Sequence, residues 1–234
     1  MNSFDFSGLE EKIGYQYKDK ALLRQAMTHT SFANEQKINK LKSYERIEFL
    51  GDAVLEMVSS EFFYFRYPDT PEGNLTKMRA SAVCEQALAI TARELSLGDF
   101  LLLGKGEEAT GGRTRDSIIA DSVEALIGSI YLDGGLAPAK KFILDFVLND
   151  LENKQLFYDA KSILQEIIQT EKLGEFHYVL IGESGPDHQK VFRTEAILND
   201  ERIGYGEGHS KKLSEQKAAY EAILKLRKEN PQGF

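Results

Sequence analysis

The 234-residue sequence predicts an all-α domain followed by a small α+β domain of order α-β-β-β-α. Three observations carry that reading. Apolar residues recur at spacings of three and four through most of the chain up to Leu151. A mostly polar stretch, Glu152 to Ala160, then interrupts the pattern and reads as a linker. Beyond it, short runs of β-favouring residues alternate with turn signals, and helical segments flank them on both sides.

Leu9, Ile13, Leu22, Leu23 and Ala26 give the first helical spacings. Tyr44 to Phe65 is a long, largely apolar helix with carboxylates at regular intervals, and Pro68 and Pro71 end it. Leu75 to Leu97 repeats the helical spacing through Met78, Ala82, Leu88, Ile90 and Leu95. Gly104, Gly106, Gly111 and Gly112 mark a loop with little regular structure. Asp116 to Leu132 is helical again and stops at Asp133-Gly134-Gly135. Pro138 suits a first helical turn, so a further helix is expected to run to about Leu151. In the tail, Ser162 to Thr170 is a short helix and Phe176 to Gly182 a strand. Gly185-Pro186-Asp187 turns the chain into the strand Val191 to Leu198, and Asn199-Asp200 turns it into the strand Arg202 to Gly206. Lys211 to Lys228 closes the domain as a helix packed through Leu213, Ala218, Ala219, Ile223, Leu224 and Leu226.

Composition sets the outer bounds. A hydrophobic fraction of 42% and a charged fraction of 28% are globular values, which exclude wholesale disorder and collagen-like repeats. The single cysteine, Cys84, allows no intrachain disulfide and no cysteine-only zinc site, and is expected to be a buried structural residue. The stretch Met1 to Gly14 carries Asp5, Glu10 and Glu11 and has no signal-peptide character, and no run reaches the length of a membrane span. A cytoplasmic protein with no membrane partner is expected. The formal net charge of −8 at first argues against a nucleic-acid partner.

The most informative segment is Tyr44-Glu45-Arg46-Ile47-Glu48-Phe49-Leu50-Gly51-Asp52-Ala53-Val54-Leu55. Glu45, Glu48 and Asp52 share one helical face, with neighbouring Cβ atoms about 5–6 Å apart. Ile47, Leu50, Val54 and Val58 define another face that must be buried, with Phe49 and Leu55 on its flanks. Asp121 and Glu124 form a second same-face pair, among Ile118, Ile119, Val123, Leu126, Ile127 and Ile130. Two such helices facing each other gather four carboxylates in an apolar setting. That is expensive unless a hard, oxygen-seeking cation such as Mg²⁺ sits among them. The bland alternative is a solvated acidic face, with Asp116 as an N-cap and Glu45 paired to Arg46 or Lys42. Spacing alone does not separate a nuclease from an all-helical nucleotide pyrophosphohydrolase.

Read as longer motifs, these segments resemble the bacterial ribonuclease III family. Glu45 to Leu55 is similar to its hallmark peptide, as are Gly111-Gly112-Arg113 with Ser117 to Gly128, and Thr28 to Glu35 upstream. The resemblance covers nearly the whole chain. It implies an all-α endonuclease domain (1–152), a linker (153–160) and a small α+β double-stranded-RNA-binding domain (161–230). It implies Mg²⁺, with Mn²⁺ as a substitute, ligated by Glu48, Asp52, Asp121 and Glu124, of which Asp52 and Glu124 match the catalytic positions. Glu45 matches an accessory acidic position, and Phe49 an aromatic residue that packs across a homodimer interface; an ordinary core phenylalanine is the alternative. Tyr44, where the family often has Asn, and Arg115, where Lys is common, depart from the pattern. The implied activity is hydrolysis of double-stranded RNA to 5′-phosphate and 3′-hydroxyl ends with short 3′ overhangs, in processing of ribosomal RNA precursors and other structured transcripts. Acidic residues at all four positions speak against a non-catalytic RNA-binding relative.

In the tail, Gly206 to Ala219 resembles the closing motif of double-stranded-RNA-binding domains. Ser210, Lys211 and Lys212 stand at the start of a helix, where backbone N–H groups and the dipole favour phosphate. Gln165 and Glu166, with Pro186, Asp187 and His188, match the two minor-groove contact regions, where 2′-hydroxyls distinguish RNA from DNA. A plain solvated surface is the alternative at each. The charge now reads differently. Residues 1–152 hold 17 basic and 24 acidic side chains, and residues 153–234 hold 12 and 13. Most of the negative excess lies with the proposed cation site, and the tail is near neutral with a local basic helix end.

Overall fold

Short helices lead into the long one that the apolar spacing of Tyr44 to Phe65 requires. The computed structural model describes residues 4–37, 42–149, 151, 156, 160–185, 190–208 and 210–229. They belong to two compact units, Met1–Asn149 and Asp150–Phe234. The first unit begins with α1 (Ser7–Ile13), α2 (Lys20–Ala26) and α3 (Thr30–Glu35), followed by the long α4 (Glu45–Arg66). Asp19 caps α2 by accepting from the Ala21 N–H, and the His29 ring caps α3 by accepting from the Ser31 N–H.

The expected continuous helix from Leu75 to Leu97 is two helices, α5 (Glu72–Ala82) and α6 (Glu85–Glu94). The chain is extended at Cys84, with φ −68° and ψ 160°. The break has a packing cause: α5 lies against α4, whereas α6 lies against a different helix, the one that begins at Asp116. Cys84 itself is half-buried rather than buried. The glycine-rich stretch expected as an irregular loop carries α7 (Lys105–Ala109) and a 3₁₀ turn, Gly112–Thr114. Ion pairs Arg113–Glu108 and Arg115–Glu107 tie these together, and Gly111 supplies the left-handed backbone between them (φ 80°).

Helix α8 (Asp116–Gly134) is the axis of this unit. Ile118, Ile119, Val123, Leu126, Ile127 and Ile130 are all buried, and a helix apolar on nearly every side belongs inside a core. Its N-cap is Arg115, and Asp116 in the first turn pairs with Arg93. Gly135 (φ 84°) ends it, and α9 (Leu136–Phe142) follows, passing into a π-helical turn, Ile143–Val147. Tyr17 and Tyr15 fasten the N-terminal segment to α8 by hydrogen bonds to Ser129 (2.6 Å) and Asp133 (2.7 Å).

Helices α4 and α8 touch backbone to backbone. A Cβ built on Gly51 would lie 1.8 Å from the Glu124 carbonyl oxygen, and one on Gly128 would lie 2.2 Å from that of Ile47. No side chain fits at either crossing point. Two glycines inside helices cost roughly 1 kcal/mol each in propensity, which close packing must offset.

The second unit has α10 (Ala160–Thr170), β1 (Phe176–Ser184), β2 (Val191–Leu198), β3 (Glu201–Gly208) and α11 (Lys211–Glu229). The three strands form an antiparallel sheet of order β1-β2-β3. Asn199 (φ 50°) and Asp200 (φ 65°) make the two-residue turn between β2 and β3, as a tight right-twisted hairpin demands. Of the turn expected at Gly185-Pro186-Asp187, only Gly185 lies among the described residues. Leu164, Ile168, Ala196, Ile203, Ala218, Ala222 and Ile223 build the core. Leu156 and Ala160, from the stretch expected as a linker, are buried in that same core; residues 152–155 and 157–159 lie outside the described residues. Gly204 and Gly206 on β3 leave room for the α11 backbone, where a Cβ would come within 2.1 Å of the Ala218 carbonyl and 2.2 Å of the Ser214 carbonyl.

Candidate active site

The crossing of α4 and α8 decides where the acidic side chains go. Glu48 and Asp52 flank Gly51 in sequence and by helical spacing, and the Glu124 backbone lies directly against Gly51. Glu48, Asp52, Asp121 and Glu124 therefore come together at one junction. Glu45, one turn before Glu48, is exposed at its edge.

The electrostatics show how close the group is. Burial, reinforced by the carboxylates of Asp52, Glu48, Asp121 and Glu56, holds the Glu124 carboxyl up to about 8. Burial and the charges of Asp121, Glu45 and Asp52 lift Glu48 to about 7. Burial also raises Asp121, against the hydrogen bond that it accepts from the Tyr44 hydroxyl. Among the described residues, no Lys, Arg or His forms an ion pair with any of the four. Glu48, Asp121 and Glu124, half-buried with raised carboxyls and no protein counter-charge, carry the expected signature of a functional cluster, and Asp52 stands exposed beside them.

Among the described residues, no three His, Cys, Asp or Glu side chains converge on one point at coordinating range. The donor set still fits a hard divalent cation: every donor is an oxygen, the negative charge is unbalanced by protein, and the raised carboxyls stand to lose protons when a cation arrives.

The remaining sequence-predicted residues fall elsewhere. Phe49 is not a core residue: it is 79% exposed, one helical turn from both Glu45 and Asp52, and Met57, Tyr64 and Phe65 of the same helix are exposed too. Gln165 and Glu166 are exposed on α10. Ser210, Lys211 and Lys212 are exposed at the start of α11, where the Ser210 hydroxyl accepts from the Leu213 N–H (3.1 Å). Pro186, Asp187 and His188 lie outside the described residues.

Sequence reasoning passed over three residues that shape the site. Gly51 and Gly128 set the helix separation, and glycine inside an otherwise strong helical pattern was the available signal. Tyr44, noted only as a departure, is buried with its hydroxyl 3.3 Å from Asp121 Oδ2.

Known proteins share both halves. A Ribonuclease-III-like family model matches residues 19–151, and a double-stranded RNA binding motif matches residues 160–226. The Ribonuclease 3 of Caldanaerobacter subterraneus subsp. tengcongensis is 49% identical, over 93% of this chain and 96% of that one. That of Enterococcus faecalis is 47% identical over the same shares. A solved nuclease domain of ribonuclease III from Campylobacter jejuni is 41% identical, covers 61% of this chain and 96% of its own, and superposes with a TM-score of 0.57. With the four carboxylates at the crossing of α4 and α8, and identity that runs through both units, this chain belongs to the ribonuclease III family.

Proposed function

We propose that this protein is an Mg²⁺-dependent endoribonuclease that hydrolyses phosphodiester bonds in double-stranded RNA, with Mn²⁺ able to substitute. The products are 5′-phosphate and 3′-hydroxyl ends with short 3′ overhangs. The observation that carries this reading is the cluster of four carboxylates, without a protein cation among the described residues, in a chain that also bears a double-stranded RNA binding motif. A need for a divalent metal is general to the family.

Glu48, Asp52, Asp121 and Glu124 would hold the cation, with Asp52 and Glu124 closest to the chemistry. A bound divalent cation supplies Lewis-acid activation and neutralises charge on the phosphate. The protein's own part is to gather four carboxylates at one helix crossing, to keep bulk water away from one side of the cluster through the apolar α8, and to present the duplex. Exposed Phe49, with Met57, Tyr64 and Phe65, supplies the apolar surface for a homodimer through the nuclease domain. Two sites related by a two-fold axis then cut both strands. We assign residues 1–152 to the nuclease domain, 153–160 to the connecting segment, of which Leu156 and Ala160 pack into the core of the second unit, and 161–230 to the RNA-binding domain. Gln165, Glu166, Ser210, Lys211 and Lys212 make RNA contacts, together with Pro186, Asp187 and His188. The expected substrates are ribosomal RNA precursors and other structured transcripts in the cytoplasm. No helix among the described residues is long and apolar enough to cross a membrane.

A long RNA duplex incubated with Mg²⁺, with EDTA, and beside the matching DNA duplex tests the reading. Cleavage of RNA with Mg²⁺ alone is expected. Cutting in EDTA, equal cutting of DNA, or nucleotide release without RNA cleavage would each overturn it.

Two further outcomes follow from the same geometry. The first concerns pH. Glu124 rises from an ordinary 4.5 to about 8 on folding. A carboxyl raised in this way gives stability that is whole below the ordinary value and is lost as pH climbs through the folded one. In EDTA, calorimetry should therefore show the nuclease unit melting at progressively lower temperature from pH 4.5 to 8, and Mg²⁺ should oppose that loss. The second concerns RNA. Replacing Lys211 and Lys212 together by Ala should weaken binding to duplexes of any sequence, and should reduce the slope of log affinity against log salt by about 1–2. An unchanged slope in gel-shift titrations would remove these lysines from the interface.

A further inference from the structure

We propose that Tyr44 is a positioning residue that orients the Asp121 carboxylate, and that the segment Thr28–Ser31 is the brace that fixes Tyr44. This rests on the reading of Asp121 as a cation ligand given above. The Tyr44 hydroxyl donates to Asp121 Oδ2 at 3.3 Å, across 77 residues of chain. Among the described residues it is the one donor that reaches any of the four carboxylates; the other charged groups close to Asp121 are carboxylates that repel it. The distance exceeds the usual O–H···O value of about 2.7–2.8 Å, so the contact is a long one, and what orients the carboxylate is the fixed place of its donor. With Oδ2 engaged, Oδ1 has no donor among the described residues.

A donor orients its partner only if it is itself held, and Tyr44 is held from several sides. It is 3% exposed. Its backbone N–H donates to the Thr28 carbonyl (2.9 Å), and the preceding Ser43 carbonyl accepts from the Gln25 side chain (3.2 Å). The His29 ring meets the Tyr44 ring edge-on, with centroids 5.4 Å apart and planes at 63°. His29 is fixed in turn. Its Nδ1 accepts from the Ser31 N–H (3.1 Å) and lies 2.7 Å from the Ser31 hydroxyl, whose oxygen accepts from the Gly104 N–H (2.9 Å). Leu102 binds the backbone on both sides of Thr28, donating to the Met27 carbonyl (2.8 Å) and accepting from the His29 N–H (3.1 Å). The ring of Tyr44 thus has one place to be, and its hydroxyl is a fixed point beside a ligand whose neighbours all push it away. This gives Thr28-His29-Thr30-Ser31 a role: it acts on the cation site through Tyr44.

The test uses the full chain and Mn²⁺ alone, with free Mn²⁺ counted by electron paramagnetic resonance. The proteins are the unaltered chain, Tyr44→Phe, Asp121→Ala and the double variant. Tyr44→Phe keeps the ring and its packing and removes only the hydroxyl. It is expected to weaken Mn²⁺ binding about tenfold, the usual scale for an outer partner of a metal ligand, with an unchanged far-ultraviolet circular dichroism spectrum. In the Asp121→Ala background the same substitution should cost nothing further. Wild-type affinity in Tyr44→Phe would overturn the proposal. So would an equal loss in both backgrounds, which is what a merely structural role or a misfolded variant gives. If Asp121→Ala alone binds Mn²⁺ as the unaltered chain does, the ligand assignment fails instead, a separate outcome.

Discussion

Glu124→Gln is expected to lower cleavage of double-stranded RNA by more than about a hundredfold, because loss of even an outer partner of a ligand costs 10–100-fold and Glu124 is read as a ligand itself. Binding of the duplex, measured by gel shift in EDTA, should stay as it was, since the basic start of α11 lies in the other unit. The same substitution should act oppositely on stability. The Glu124 carboxyl is held up to about 8 by burial and by Asp52, Glu48, Asp121 and Glu56, so its charged form is costly in the metal-free protein. A neutral amide of the same size removes that cost. At pH 9 in EDTA the variant should melt at a higher temperature than the unaltered chain. Near-normal cutting would sink the active-site assignment, and an unchanged or lower melting temperature at pH 9 would sink the electrostatic account. Activity and stability trading against each other at one residue is what a site built on repulsion predicts.

Gly128→Ala should be among the most damaging of small substitutions. Its Cβ would lie 2.2 Å from the Ile47 carbonyl oxygen and 3.0 Å from the Gly51 nitrogen. Backbone cannot rotate aside as a long side chain can, so α4 and α8 must separate. A cost of about 3 kcal/mol is expected, at the upper end of ordinary overpacking, which corresponds to a fall of roughly 6–12 °C in melting temperature for a chain of this size. Cleavage should fall with it, because that separation moves Glu48 and Asp52 away from Asp121 and Glu124. Gly106→Ala is the control: a Cβ there meets nothing within 4 Å, and the change in α7 should be neutral or stabilising by about 0.5–1 kcal/mol. If calorimetry gives the two variants similar melting temperatures, the close crossing is not what holds the pair.

The sequence announced the helices that bear the site because spacing is a local property. Glu45, Glu48 and Asp52 at intervals of three and four, beside Ile47, Val54 and Val58, determine a half-buried acidic helix with no knowledge of its neighbours. The tail order was legible for the same reason, from β-favouring runs and the Asn199-Asp200 turn. What stayed hidden depends on partners distant in sequence. The break at Cys84 exists because α5 and α6 pack on different helices. The Phe49 environment was undecidable from spacing, and its 79% exposure in this chain excludes the core alternative. Tyr44 reads as an ordinary apolar residue at the head of a helix until Asp121 is brought to its hydroxyl. The burial of Leu156 shows the converse: one apolar residue in a polar stretch was too weak a signal to mark it as core.

The glycines of β3 bear on how such a protein can change over time. At Gly204 and Gly206 the sheet meets α11 main chain against main chain, with no side chain between them to resize or exchange. Most packed surfaces tolerate drift through compensating swaps of large for small, and here no compensating swap exists. The seat of α11 is closed to gradual variation. Variation is left to exposed positions such as Lys211 and Lys212, proposed above as RNA contacts, where a substitution leaves the frame as it is.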